Sequence, residues 1–422
     1  MTDRTKQIVI IGVGVVLILA LLVGFLPAIP SRFFKNEDFR GIRLVRDVEE
    51  SSLYFIRSRW VSERVLPYRD VFVEYPQLAA TYISWPRLFT QDVFHYEQFL
   101  FAANGLVYVG LIVVTARILR LLKYSPKRLL MFFLPAALYF SVNRFDALPA
   151  LVVQLSLLAL LLHRPKWAVG LLVVAGFIKW YAWLLIPLFW CWQRRTTSIK
   201  DLLRRFLPSA ILSILIIATS FFLFGSKVLD PYRFHVQGRS FGHDTIFTPL
   251  IGGVFENGIA RALLVVQAAV VLAVAVFGNW LSRRMFSFTS LIRLSLITLL
   301  AFMLLAKFYS PQWILWVVPL FIILPLRRVD YILLVSFDLV SFIQFPVFFD
   351  MFSASSGEYF IIVLVRTILT AWLLIRLISE ERGAFSRTKS VNGSLEQDQI
   401  KQPPPLDQIR GGGRLKVQAQ KV

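Results

Sequence analysis

Trp167 to Trp192, WAVGLLVVAGFIKWYAWLLIPLFWCW, carries one charge, Lys179, inside an otherwise apolar run. Read as a single membrane span, it would put Arg194, Arg195, Arg204 and Arg205 on the opposite side of the bilayer from Arg164 and Lys166. Cytoplasmic loops carry the excess of Lys and Arg, so that reading breaks the charge rule. Splitting the run at Lys179-Trp180-Tyr181 gives two short helices, one going out and one coming back, and returns every basic cluster to the inside. Short or broken helices are tolerated at membrane depth only where they line protein or a water-filled cavity. The stretch therefore predicts a polytopic membrane protein with a polar cavity near its outer face.

The rest of the chain fits that frame. Hydrophobic residues make up 57% and charged residues only 17%, too few to cover a soluble exterior of 422 residues. Apolar runs long enough for a hydrocarbon core of about 30 Å recur along the chain. They lie at Ile8 to Ala28, Leu100 to Val114, Met131 to Val142, Leu148 to Leu162, the two halves of Trp167 to Trp192, and Phe206 to Phe224. Ala260 to Leu281, Phe286 to Ala306, Trp313 to Leu326, Tyr331 to Phe348 and Tyr359 to Ile378 follow. The expectation is an all-α transmembrane bundle of about twelve spans, some short or broken, with both termini cytoplasmic.

The net charge of +21 is distributed as punctuation, with Arg283-Arg284 and Arg327-Arg328 also at span edges. No basic patch with interleaved aromatics stands out, which argues against nucleic acid as a partner. One cysteine, Cys191, excludes an internal disulfide and any multi-cysteine metal site. The first apolar run is longer than a usual signal-peptide core and reads as a retained span. From residue 380 to 422 the chain is polar, with Pro403 to Pro405 and Gly411 to Gly413, and predicts a disordered basic cytoplasmic tail.

With orientation fixed by basic edges alone, the remaining polar motifs fall together on the outer face. They are Asp47 to Glu74 in a first outer loop of residues 29–98, Asn143-Arg144-Phe145-Asp146, Lys179, Asp230 to Arg239, and Lys307 to Gln312. Charged groups at span ends are costly to desolvate, so such a cluster implies a shared polar cavity. Arg144, Lys179, Arg233, His235, Arg239 and Lys307 are candidate phosphate ligands, and a carboxylate beside them is a candidate general base. Asp47 and Glu50 both qualify. They begin an amphipathic helix marked by Leu53, Ile56, Trp60, Val61 and Val65, and a helix-capping role for the pair is the alternative.

In their order and common sidedness these motifs resemble the GT-C superfamily, most closely the polyprenyl-phosphate-mannose-dependent mannosyltransferases of glycosyltransferase family 87. The resemblance rests on the first-loop acid, Pro67-Tyr68-Arg69-Asp70, Glu74-Tyr75-Pro76, Asn143 to Asp146, the break at Lys179, Asp230 to His235, and Ser310-Pro311-Gln312. Gln77 stands where family members usually carry a second proline. The resemblance implies a GT-C-type catalytic domain over residues 1–379 in the inner or plasma membrane, working without metal or other cofactor. It implies an inverting transfer of a hexose, with mannose expected, from a polyprenyl phosphate to a lipid-linked or cell-surface glycan. Asp47 or Glu50 would be the base, and Lys179, Lys307, Arg144, Arg233 and His235 would hold the donor phosphate. Tyr68, Asp70, Glu74, Tyr75, Asp146 and Gln312 would contact substrate.

Several residues have plainer readings. Arg144 and Asp146 suit a local ion pair, Lys179 and Lys307 suit lysines snorkelling to the interface, and Trp and Tyr suit an interfacial belt. His243 with Asp244 is too small a set for a metal site. Asp338, inside a span, is either a substrate-path residue or a buried hydrogen bond to a neighbouring helix. The rival function is a transporter or flippase of a lipid-linked sugar or anion. Such a carrier places its charges near the midplane, whereas these crowd one face.

Overall fold

The computed structural model describes residues 5–6, 8–9, 12–16, 47–251, 256–282 and 286–400. Most of the expected first span, residues 29–46 of the first outer loop, Arg283-Arg284 and residues 401–422 lie outside them. Among the described residues regular structure is helical throughout, without a named strand. Six of the described helices are long and apolar enough to cross a membrane: Val93–Leu121, Ile199–Val236, Glu256–Gly278, Phe288–Leu305, Arg328–Met351 and Gly357–Gly383. Pro135–Asn143 and Ala147–Leu161, bent by 107° at their junction, make a seventh if taken as one span.

Among the described residues six or seven spans stand against twelve runs read from sequence; Ile8 to Ala28 lies mostly outside those residues, and other runs divide into helices too short to cross alone. Met131 to Val142 divides into a 3-10 helix, Pro126–Phe133, and a short helix α1 (Pro135–Asn143), because Leu134 is extended and Pro135 starts a new helix. The Lys179 run splits as its charges require. Helix α2 (Pro165–Ile178) stops, Lys179 is extended at φ −149° and ψ 114°, and a 3-10 turn at Trp180–Leu185 leads into Ile186–Arg194.

A helix that begins inside a membrane leaves its first amides without partners. At α1 they are met by Asp338 from the helix Arg328–Phe342, whose carboxylate accepts from the amides of Ala136 at 2.8 Å and Ala137 at 2.9 Å. Of the two readings of Asp338, the hydrogen bond to a neighbouring helix is the one observed; the residue is fully buried. The positive end of the helix dipole favours an anion at this position. Asp338→Leu should lower unfolding stability by about 2–4 kcal/mol, since two buried amides each lose a partner worth about 1–3 kcal/mol. A thermal melt of the protein in nanodiscs would check it, and an unchanged melting temperature would refute the capping role.

Two helices face outward. Glu256–Ser282 exposes Val265, Leu272 and Val276, and Ile199–Phe224 exposes Ile214, Leu215 and Phe222, the surfaces expected against acyl chains. The chain from Ile378 onward separates as a second compact unit. Its backbone is helical to Ile400, whereas composition alone predicts no fixed structure from residue 380.

Candidate functional site

The first-loop acids sit at the start of α3 (Val48–Arg57), and they do different things. Asp47 is the N-cap: its carboxylate accepts from the Glu50 amide at 3.2 Å, and its own amide donates to Asn143 Oδ1 at 2.8 Å. The reciprocal half of a capping box is missing because the Glu50 side chain turns away toward Tyr75, whose hydroxyl donates to Glu50 Oε1 at 3.0 Å. Arg144, at the C-terminal end of α1, binds both acids, one guanidinium nitrogen to Asp47 and another to Glu50. Two carboxylates on one guanidinium leave a net charge of −1.

Burial raises the Glu50 carboxyl, but the charge and hydrogen bond of Arg144, with the bond from Tyr75, outweigh it and hold the group below the usual carboxylate range. The same burial, and then the Glu50 charge, pushes the Tyr75 hydroxyl well up, so it remains a donor at neutral pH. Tyr54, Tyr75 and Phe145 pack edge to face around the acid with centroids 5.2–5.7 Å apart.

Arg144 and Asp146 do not form the local pair that their spacing suggests. Each takes a distant partner, because the bend between α1 and Ala147–Leu161 points them apart. Asp146, fully buried, receives Lys179 Nζ at 3.0 Å and Trp316 Nε1 at 2.9 Å. Lys179 lies 4.6 Å above the Phe145 ring, so it is anchored inward and does not snorkel.

These groups meet at a cavity of about 430 Å³. Its wall includes Glu50, Glu74, Tyr75, Arg144, Lys179, His235, Arg239, His243, Asp244 and the run Phe308 to Trp313. Motifs spread over more than half the sequence thus share one space, as the common sidedness of their loops predicts. Trp180, Trp313 and Trp316 also line it, and Trp313 stacks on Trp316 at 4.7 Å. The belt reading of these tryptophans is therefore replaced by a place in the cavity wall. Gln312 lines it too, only 8% exposed, and its amide has no hydrogen bond among the described residues.

One end of the cavity is cationic. The Arg239 guanidinium lies 3.8 Å over the Phe308 ring, His235 stacks on the same ring at 5.7 Å, and neither Arg239 nor Lys307 has a salt-bridge partner among the described residues. Lys307 Nζ donates to the Val236 carbonyl at 3.1 Å; burial, then Arg239, lowers its pKa, with Glu256 opposing. Beside this end lies a second, apolar cavity of about 170 Å³ between Trp180, Trp183, Phe302 and the outward-facing helix at Ala260, Leu263 and Leu264. His235, Lys307 and Phe308 border it, and His235 and Phe308 border the larger cavity as well.

No family model matches this chain, and no curated protein matches it. Its chemistry has to be read from its own residues.

Six sequence candidates stand off the main cavity. Asp47 is 1% exposed behind Arg144, and Asp146 is sealed behind Lys179. Tyr68, at φ 66°, donates to the Tyr75 carbonyl at 3.0 Å, while Asp70 pairs with Arg69 and accepts the Leu66 amide at 2.8 Å. Both belong to a tight turn that sets the position of Glu74 and Tyr75 and do not line the cavity. Arg233 is exposed and pairs with Asp230 at 3.4 Å, so among the candidate phosphate ligands Arg239 takes the place its neighbour was expected to hold. Lys307 borders the apolar cavity only.

Sequence reasoning set aside His243 and Asp244 for want of further ligands, yet both line the main cavity. Burial raises the Asp244 carboxyl, against the opposing charge of Arg366. The signal that would have found them is their place in the loop that also carries His235 and Arg239.

Proposed function

We propose that this protein is an integral membrane glycosyltransferase that moves a hexose from a polyprenyl phosphate to a hydroxyl on a lipid-linked or surface glycan. The reading places its site on the extracytoplasmic face and its donor lipid in the bilayer. One observation carries it: a single cavity joins a first-loop carboxylate to Arg239, which has no ion pair among the described residues, and an apolar recess bordered by Lys307, sharing His235 and Phe308 with that cavity, reaches a lipid-facing helix. A polyprenyl phosphosugar has that shape, with a greasy chain, a phosphate and a sugar in sequence.

In this mechanism Glu50 accepts the proton of the acceptor hydroxyl, and the hydroxyl oxygen bonds to the anomeric carbon from the face opposite the phosphate. The bond from that carbon to the phosphate oxygen breaks, and the electron pair leaves with the polyprenyl phosphate. Configuration inverts in one displacement. Arg239, Lys179 and Lys307 stabilise the departing phosphate by charge-assisted hydrogen bonds, which strengthen as charge develops on it. Glu50 is ionised at neutral pH, the state a base starts from.

Purified protein in nanodiscs, given radiolabelled polyprenyl-phosphate-mannose and membrane lipid extract, should form a labelled lipid or glycan product. Arg239→Ala should cut transfer by about 10²-fold, the cost of one preorganised donor to a developing anion. Uptake of the donor without any product would favour a carrier and overturn the enzyme reading.

A further inference from the structure

Five buried side-chain atoms at the wall of the main cavity have no hydrogen-bond partner among the described residues: Arg144 Nε and His235 Nδ1, which belong to groups already described, and three more, His243 Nδ1, Asp244 Oδ1 and the Tyr309 hydroxyl. Tyr309 is 2% exposed. Buried polar groups are nearly always paired, so three such atoms on one cavity call for a ligand that pairs them. None of them has a role in the displacement described above.

The loop is built to leave Asp244 Oδ1 unspent, while the backbone amides of Tyr309 and of Asp244 itself support the carboxylate. Arg366, buried on the helix Gly357–Ile400, donates to the Asp244 backbone carbonyl at 2.8 Å and to Gln344 Oε1 at 2.6 Å, with its guanidinium 3.6 Å over the Tyr309 ring. It fixes the loop from behind without binding the carboxylate. The Gly242 amide donates to the Lys307 carbonyl at 2.8 Å, tying the loop to the Lys307 to Gln312 segment. Asp244 Oδ1 folds back over Gly242 so closely that a β-carbon there would sit 2.1 Å from it. Glycine is thus required for the carboxylate to keep this position.

Around these atoms the wall is aromatic, with Trp313 5.4 Å from Tyr309 by ring centroids. A carboxylate, an imidazole and a phenol beside flat apolar rings match a saccharide, which presents hydroxyls at its edge and C–H groups on its face. A few convergent polar groups in an aromatic cavity are the usual makeup of a small-molecule site. An anion is disfavoured, since Asp244 itself carries or shares a negative charge.

We propose that Asp244, His243 and Tyr309 form a saccharide subsite, which holds the acceptor sugar. Calling the bound sugar the acceptor rests on the transferase reading; its binding does not.

Equilibrium binding of radiolabelled octyl α-mannoside to the full chain in nanodiscs tests the subsite, with octanol and decaprenyl phosphate as companion probes and empty nanodiscs as blank. Wild type should bind the mannoside saturably and octanol not. Asp244→Asn should weaken mannoside binding at least tenfold while decaprenyl phosphate binding stays at the wild-type level, which also shows the fold intact. Gly242→Ala, which displaces the carboxylate but keeps it, should do the same. Mannoside binding unchanged in both variants, or equalled by octanol in wild type, overturns the proposal. Asp244-dependent mannoside binding in a protein that transfers no hexose would leave the subsite standing and remove the transferase reading.

Discussion

Glu50→Gln should lower hexose transfer by about 10²–10⁴-fold, the usual contribution of a positioned general base, and leave donor binding close to wild type. Glutamine keeps the shape and can still accept from Tyr75, but it cannot take a proton. Of the two candidate bases Glu50 lines the cavity, while Asp47 is used up on the α3 amide and Arg144. Asp47→Asn should therefore cost stability more than rate, through the position of Arg144. Because Arg144 and Tyr75 hold the Glu50 carboxyl below its ordinary range, the acid limb of kcat/KM in wild type should lie below about pH 4.3, the unperturbed value for glutamate. Initial rates with labelled donor at saturating acceptor, across pH, would decide the matter. A Glu50→Gln protein as fast as wild type would exclude Glu50 from proton transfer.

The helical membrane character was legible because apolar period and basic punctuation are local signals. The break at Lys179 was legible for the same reason: one lysine in an apolar run, with arginines on the wrong side of an unbroken span, admits one cheap solution. The number of long spans was not, since Leu134 and Pro135 interrupt a run whose hydropathy alone looks continuous. Pairing was also hidden. Arg144 and Asp146 stand two residues apart, yet their partners lie 97 residues back and 33 residues ahead, and only the bend between the helices decides which. The choice between Asp47 and Glu50 could not be made from spacing, because it depends on which side chain faces the cavity and which faces the α1 terminus. Asp244 could be weighed only with His243 as a pair too small for a metal site, because a lone acid in a loop has no pattern; its meaning comes from Arg366 being committed to its carbonyl.

Arg144→Met should be the most damaging single change in the site, lowering unfolding stability by about 3–5 kcal/mol, the cost of stranding a buried charge by removing its partner. Arginine here serves two acids at once, and methionine of similar length fills the space while taking the cation away from both. The pH dependence should then reverse. In wild type the Glu50 carboxyl is held below its unfolded value, so its contribution is complete above about pH 4.3 and is lost as pH falls through the native pKa. Without Arg144, burial is left as the main influence and raises that pKa above the unfolded value, so the variant should be most stable in acid and weaken as pH rises. Adding Asp47→Asn and Glu50→Gln to Arg144→Met removes the stranded charges and should restore most of the loss, since replacing a whole buried ion cluster by neutral groups is often close to neutral in stability. Thermal melts of wild type, single and triple variants in nanodiscs from about pH 4 to about pH 8 would test this. A triple variant no more stable than Arg144→Met at neutral pH would mean that the guanidinium holds the site by packing and not by charge.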